Sequence, residues 1–394
     1  MRRLLPLGAA AALFAVSGVA SAYCPSYTAS SSYNSHNCGV EAVNGTNPTP
    51  DQWQPIFALV AQGPSVWGSK GPSVSDIGQG CGNPEPLHSV AARFPCEVLK
   101  AIAMQESGWK QFCVPSTPAD QVGGASRTII SFDCGYGVGQ VTSGMHAGES
   151  PSFDRSRVAS DPTYNLATGT QILASKWKAT NCVGDNQPSI VEDWYTAVWA
   201  YNGLAYVNNP SNPTYSSSRG VWDPNVGGGA PYQERVFGWV EHPPGSPAYW
   251  KSVALAYPDP ANVGGSGSPP ALPEPSCASP TDCSNQRQVH TSYCFSANPG
   301  DAGTAGSGGT SGTGGSSAGG SSSGGTGGGL PLPDAAPGYD AGADGSPTGQ
   351  HSRVVGGKSS GCACRLGSSE PPSGGAPLSL LMLGLLAFRR RRSG

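Results

Sequence analysis

The chain has few charged side chains. Of its 394 residues, only 12% are Asp, Glu, Lys or Arg, which is about half of the share usual in globular proteins. The formal net charge is −3. Because a nucleic-acid-binding surface is rich in lysine and arginine, we expect no nucleic-acid partner.

The sequence also lacks the motifs of common metal- and phosphate-dependent enzymes. Its six histidines show no H-E-x-x-H spacing, and no G-x-x-x-x-G-K-[ST] loop occurs. The pair Cys362 and Cys364 supplies only two of the four ligands that a structural zinc site needs. We therefore expect neither a metal nor a cofactor.

The first 22 residues have the pattern of a secretory signal peptide. Two arginines precede a short apolar run, and the small residues Ala20-Ser21-Ala22 close it. We expect cleavage before Tyr23 and export of the mature chain. An uncleaved membrane anchor is the alternative.

The last 33 residues, 362–394, also carry a targeting pattern. The apolar run 376–388 is shorter than a comfortable membrane span, and Arg389–Arg392 follows it directly. With Cys362 and Cys364 upstream, this end resembles the C-terminal sorting signal found on many surface proteins of myxobacteria. The resemblance implies export and sorting machinery as partners and retention at the cell envelope, in the periplasm or on the outer surface. A permanent single-pass anchor is the alternative.

Composition divides the rest of the chain. Residues 302–330 are almost wholly Gly, Ser, Thr and Ala, and their flanks are rich in proline. Such segments cannot bury enough apolar surface to fold. We therefore assign 259–361 to a disordered stalk. The folded part is 23–258, divided into an N-terminal portion, 23–85, and a domain, 86–258.

The chain has twelve cysteines, which in an exported protein predict disulfides. Cys113 and Cys134 flank one loop and could close it. Seven cysteines lie between residues 24 and 182, and seven is odd. One of them must therefore stay free or pair with a cysteine of the stalk. The upstream part of the stalk contains Cys277, Cys283 and Cys294, which could close a small loop by a disulfide.

Hydrophobic periodicity and helix-start signals predict a mainly α globule. The predicted helices are 51–62, 95–109, 163–179, 190–201 and 232–240. Residues 114–145 contain glycines and the β-favouring run Thr128-Ile129-Ile130. We expect a small irregular or β lobe there.

One predicted helix carries a carboxyl group on its apolar face. Leu99, Ile102 and Ala103 precede Glu106 by seven, four and three positions, which places all four on one side of the helix. Loss of solvation should raise the pKa of Glu106 and keep it protonated near neutral pH. Such a carboxyl group can protonate the leaving oxygen of a glycosidic bond. The alternative is a solvated glutamate or one paired with Lys110.

Four motifs follow one another in the domain. They are A-I-x-x-x-E-S at 101–107, G-x-x-Q at 137–140, N-x-x-x-G-x-x-x-L at 165–173 and A-Y-N at 200–202. In this order they resemble the soluble lytic transglycosylase branch of the lysozyme-like superfamily, over about residues 86–240. The resemblance implies an α+β lysozyme-like fold with a substrate cleft, and peptidoglycan glycan strands as the substrate. We expect a monomer.

The resemblance also assigns roles to single residues. It makes Glu106 the catalytic acid and Tyr201 the tyrosine that hydrogen-bonds this acid. Substrate-binding positions are Ser107, Gly137, Gly139, Gln140, Tyr201 and Asn202. The sequence departs from the usual G-L-M-Q pattern, because Gly139 stands where the family has a bulky residue. We expect this change to remove a side chain from the floor of the cleft.

The implied reaction needs one carboxyl group. Glu106 protonates the oxygen between N-acetylmuramic acid and N-acetylglucosamine, then removes the proton from the C6 hydroxyl group, which closes a 1,6-anhydro ring. A goose-type lysozyme, which uses water positioned by Asp120 or Asp133, is one alternative. A non-catalytic peptidoglycan-binding surface protein is the other.

Overall fold

The computed structural model of the protein describes residues 36–80, 88–114 and 126–295. Within these ranges the protein is mainly α, as predicted. The helices are α1 (Pro50–Ala61), α2 (Pro64–Trp67), α3 (Cys96–Ser107), α4 (Arg155–Ser160), α5 (Pro162–Ala179), α6 (Tyr195–Tyr201), α7 (Tyr232–Glu241) and α8 (Pro260–Val263). Two short antiparallel strands, β1 (Phe112–Cys113) and β2 (Arg127–Thr128), pair with Phe112 opposite Thr128.

Side-chain caps mark the start of four helices, α1, α4, α5 and α8. Thr49 and Gln52 form a capping box at the start of α1. The carboxylate of Asp161 accepts hydrogen bonds from the backbone N–H groups of Thr163 and Tyr164, and Pro162 occupies the first turn of α5. The predicted Asp-Pro start of this helix is confirmed.

Helix α3 lies in the centre of the fold. All twelve of its residues are buried, and it packs against α1 and α7. It ends at Gly108, whose left-handed φ of 62° lets the chain turn away. The sequence predicted an amphipathic helix with one buried face. The structure buries every face because other parts of the chain cover the polar side as well.

The region after α3 forms the small lobe that was predicted. Besides β1 and β2, it has its own buried cluster, which includes Ile130, Tyr136 and Val141. Cys134 forms a disulfide with Cys38 rather than with Cys113. The suggested Cys113–Cys134 closure of the loop is therefore wrong, and the lobe is tied to the N-terminal portion of the fold instead.

The predicted stalk begins at residue 259, but the chain packs on the core as far as residue 295. Val263 and Leu272 are buried members of the main core. Cys294 forms a disulfide with Cys96 at the start of α3, which confirms that one cysteine of the group of seven pairs with a later one. Cys277 and Cys283 close a small loop. We call residues 259–295 the C-terminal segment; residues 296–361 lie outside the described residues.

Neither predicted targeting sequence falls within the described ranges, because 1–22 and 362–394 are not among them. Within the part of the chain that the structure describes, no helix is long and apolar enough to cross a membrane.

Candidate active site

Glu106 stands in the last turn of α3 and is only 3% exposed. The phenol of Tyr232, the first residue of α7, donates a hydrogen bond to its Oε1 atom. Burial raises the pKa of Glu106 to about 8, although the hydrogen bond from Tyr232 lowers it. The predicted upward shift is confirmed. Its physical consequence is a carboxyl group that keeps its proton at neutral pH.

Two further charges act on the same carboxyl group. The negative charge of Asp133 raises the pKa of Glu106, and the positive charge of Arg235 lowers it. Asp133 belongs to the small lobe, and its Oδ1 atom accepts a 2.6 Å hydrogen bond from the hydroxyl group of Ser131. Arg235 lies one turn after Tyr232 on α7, and its guanidinium group lies over the ring of Trp222. Glu106 therefore lies between the lobe and α7.

Buried polar contacts hold the start of α7 in place. Glu234 is 1% exposed and accepts hydrogen bonds from the hydroxyl group of Tyr195 (3.0 Å) and from Arg219 (3.2 Å). The backbone N–H of Tyr232 donates to Oδ1 of Asn208 (3.1 Å). Buried networks of this kind fix one side-chain arrangement when their members are satisfied. They position the phenol that contacts Glu106.

The glycine turn at 135–142 packs beside the end of α3. Gly137 has a φ of 62°, and a Cβ atom there would lie 2.1 Å from Oε1 of Gln111. That oxygen accepts a hydrogen bond from the backbone N–H of Val138 (3.0 Å). Only glycine allows both the left-handed conformation and this close approach.

Tyr201 occupies the space between two glycines. Its hydroxyl group donates a 2.6 Å hydrogen bond to the carbonyl oxygen of Gly139. A Cβ atom on Gly169 of α5 would lie 2.9 Å from the same hydroxyl oxygen. The resemblance assigned the hydrogen bond with Glu106 to Tyr201, but the phenol that donates to Glu106 is that of Tyr232. Burial raises the pKa of Tyr201, and the nearby charge of Glu106 raises it further.

A small apolar pocket lies beside Tyr201. Ile102, Leu166 and Leu173 contribute apolar side chains to its wall, and Gly139 forms another part of it. A Cβ atom at Gly139 would lie 3.3 Å from Oδ1 of Asn165 and 3.4 Å from the hydroxyl oxygen of Tyr201. That Gly139 opens the floor of a substrate cleft stays a prediction.

The other predicted site residues make contacts within the protein. Ser107 donates to the carbonyl oxygen of Val138 (3.0 Å) and so joins α3 to the glycine turn. The amide nitrogen of Gln140 donates to the carbonyl oxygen of Gly137 (2.9 Å), and its buried Oε1 atom has no hydrogen-bond partner. Asn202 follows the last residue of α6, and its Oδ1 atom accepts a hydrogen bond from Asn208 (2.8 Å).

Tyr232 is the hydrogen-bond partner of Glu106 that the sequence did not reveal. The sequence predicted a helix starting there but gave no reason to link it to Glu106, 126 positions earlier. A tyrosine directly after Pro231, at the first position of a helix, was the only local signal. Its role depends on how α7 crosses α3, which no local pattern shows.

One group of three described residues places potential metal-ligand atoms within 4.8 Å of one another. It consists of Cys96, Glu97 and Cys294. The two cysteines form a disulfide with each other, so no thiolate is left to bind a metal. Glu97 instead accepts hydrogen bonds from the hydroxyl group of Ser292 (2.6 Å) and the backbone N–H of Tyr293 (2.9 Å).

Comparison with known families gives a match. Residues 89–219 match the family model described as Transglycosylase SLT domain. The matched part is similar to that family and contains Glu106, the glycine turn and Tyr201; it ends before Tyr232. No curated protein and no solved structure matches the chain.

Proposed function

We propose that the protein is a peptidoglycan lytic transglycosylase in which Glu106 is the general acid and base. The observation that carries the proposal is the buried carboxyl group of Glu106, whose pKa is raised to about 8, with Tyr232 as its hydrogen-bond partner. The match of residues 89–219 to a transglycosylase domain supports a lytic-transglycosylase type of activity on peptidoglycan.

In the first step, protonated Glu106 gives its proton to the oxygen of the β-1,4 bond between N-acetylmuramic acid and N-acetylglucosamine. The C1–O bond breaks, and the acetamido group of the substrate stabilises the oxocarbenium-like C1. The hydroxyl group of Tyr232 donates to the carboxylate that Glu106 becomes. A hydrogen bond to the charged form favours that form, so this contact assists the proton transfer.

In the second step, the Glu106 carboxylate removes the proton from the C6 hydroxyl group of the same sugar. The C6 oxygen attacks C1 and closes the 1,6-anhydro ring, which returns Glu106 to its protonated state. No water molecule is consumed and no cofactor takes part. Gly139, Gln140 and Asn202 are the proposed contacts of the glycan strand in the cleft.

A second candidate function is hydrolysis by a goose-type lysozyme mechanism. One observation favours it: the charge of Asp133 acts on Glu106, so a second carboxylate lies near the acid. Inverting glycosidases use such a second carboxylate to activate water. Asp120, the other aspartate considered, lies outside the described residues.

The proposed substrate has a consequence for location. Peptidoglycan lies outside the cytoplasm, which agrees with the predicted signal peptide at 1–22. We propose that the exported enzyme is held at the envelope by its C-terminal signal, 362–394, and that residues 296–361 act as the stalk. A monomer is sufficient for the proposed mechanism, since Glu106 and Tyr232 belong to one chain.

Product analysis tests the proposal and separates the two reactions. Purified peptidoglycan is digested with the protein, and with a lysozyme as a parallel control. A transglycosylase releases muropeptides that are one water lighter than the lysozyme products and that resist borohydride reduction. Products that carry the extra water and take up hydride would overturn the transglycosylase assignment and make Asp133 the next residue to change.

A further inference from the structure

A group of carboxyl groups that the proposed mechanism does not use lies where the loop 183–193 meets the C-terminal segment. The backbone N–H of Gly184 donates a hydrogen bond to the carbonyl oxygen of Leu272 (3.0 Å). This hydrogen bond helps to hold the two stretches side by side. The loop contributes Asp185 and Asp193, and the C-terminal segment contributes Glu274. Asp185 and Glu274 are exposed, and Asp193 is buried.

Asp193 has an oxygen atom without a partner. Asp193 is only 2% exposed. The Oδ2 atom accepts a 2.6 Å hydrogen bond from the backbone N–H of Gln187, but the buried Oδ1 atom has no hydrogen-bond partner. A buried carboxylate oxygen in this state is costly and calls for a donor or a cation.

Gly184 makes room for a second carboxylate beside this oxygen. The point that a Cβ atom at 184 would occupy lies 1.7 Å from Oε2 of Glu274 and 3.2 Å from Oδ1 of Asp193. Any larger residue would push Glu274 away. Carboxylate oxygens of Glu274 and Asp193 therefore both lie close to the same glycine.

The group has no basic counterpart. Within the described part of the chain, Asp185, Asp193 and Glu274 form no ion pair with Lys, Arg or His. Burial, and then the charge of Glu274, raises the pKa of Asp193 to about 8. The charge of Asp185 acts in the same direction on both other acids. A bound cation would remove this repulsion.

We propose that Asp193 and Glu274 bind a calcium ion between the loop 183–193 and the C-terminal segment. Calcium prefers oxygen ligands at about 2.3–2.6 Å and tolerates irregular sites completed by water, whereas magnesium needs near-ideal octahedral geometry. The exposed carboxylate of Asp185 adds negative charge at the entrance. The ion ties the C-terminal segment to the chain that leads into α6. This site is independent of the proposed reaction at Glu106.

Calcium binding to the purified protein, with its disulfides intact, tests the proposal. After EDTA treatment and buffer exchange, calorimetric titration with CaCl2 should show one site. At a concentration 100-fold above Kd, calcium should raise Tm by about 5–10 °C. Asp193→Asn keeps the shape of the side chain and removes the charged ligand, so it should weaken binding by about tenfold or more. Glu274→Gln should do the same.

The matched control is Asp76→Asn, which neutralises an exposed acid elsewhere on the surface and should bind calcium like the wild type. Two results would overturn the proposal: no binding heat and no Tm shift in the wild type, or equal affinity in Asp193→Asn. A Tm that depends on pH but does not respond to calcium would indicate that Asp193 and Glu274 share a proton. This result would also overturn the calcium proposal.

Discussion

The phenol of Tyr232 donates a hydrogen bond to the carboxyl group of Glu106 across the contact between α7 and α3. The two residues are 126 positions apart in the chain. Burial raises the pKa of Glu106, and the phenol opposes this shift by stabilising the charged form. Tyr232 is therefore a positioning residue that also adjusts the acidity of the proposed catalyst.

Tyr232→Phe should lower kcat/KM by about 10- to 100-fold, because a hydrogen bond to a charged group contributes roughly 1.5–3 kcal/mol. The hydrogen bond from Tyr232 lowers the pKa of Glu106, so its removal should raise this pKa. The alkaline limb of the pH–rate profile should therefore move to higher pH. Tyr257→Phe is the control, because that buried phenol donates to Glu241 (2.8 Å) instead. An unchanged limb in Tyr232→Phe would contradict this role.

The pH dependence of the wild type follows from the protonation of Glu106. Activity needs the protonated carboxyl group, so kcat/KM should fall as pH rises through about 8. Stability should change in the same direction. The folded-state pKa lies above the ordinary value of a glutamate, 4.5. The contribution of this group to stability is therefore full below pH 4.5 and is lost as pH rises through about 8. In Glu106→Gln, Tm should decline less between pH 5 and pH 8; an equal decline would contradict the assignment.

Gly169→Ala tests the close approach of Tyr201 to α5. Alanine normally stabilises a helix interior relative to glycine by about 1 kcal/mol. Here its Cβ atom would lie 2.9 Å from the Tyr201 hydroxyl oxygen, so the substitution should destabilise the protein by about 1–3 kcal/mol. In a Tyr201→Phe background the same substitution should be neutral or stabilising. A denaturant-unfolding cycle of the four proteins measures this; additive effects would contradict the explanation.

The C-terminal segment should contribute to the stability of α3. The Cys96–Cys294 disulfide joins positions 198 residues apart, and Cys277–Cys283 joins positions 6 residues apart. Loop-closure entropy predicts that replacing the first pair by alanines costs about 5 kcal/mol and the second about 2 kcal/mol. Unfolding of the two double variants measures the difference. If both lose the same stability, the long-range disulfide does not act by restricting the unfolded chain.

The sequence was informative where local patterns decide the structure. Helix α5 begins where Asp161-Pro162 predicted, and the apolar spacing before Glu106 correctly indicated a buried acid. Both depend on neighbours within a few residues. The tyrosine beside the acid was assigned to the wrong helix, because the choice between Tyr201 and Tyr232 depends on the tertiary packing of α6 and α7.

The end of the folded region was also placed too early, for a related reason. Residues 259–295 lack a periodic apolar pattern, so nothing in their own sequence predicts burial. They are held by long-range contacts: the backbone N–H of His290 donates to Glu192 (2.8 Å), and that of Ser292 donates to the carbonyl oxygen of Ser189 (2.8 Å). Backbone pairing with distant segments leaves little trace in composition.

The most direct measurement is the wall-cleaving rate of Glu106→Gln relative to the wild type, with Tm and peptidoglycan binding measured on the same preparation. The amide preserves the shape of the side chain and removes the proton that the reaction needs. Because general acid–base catalysis contributes about 10²- to 10⁴-fold, we predict a loss of at least this size in a folded protein that still binds the wall. A folded variant that cleaves peptidoglycan at nearly the wild-type rate would contradict the assignment of Glu106, and a wild type that binds without cleaving would support the binding-protein alternative.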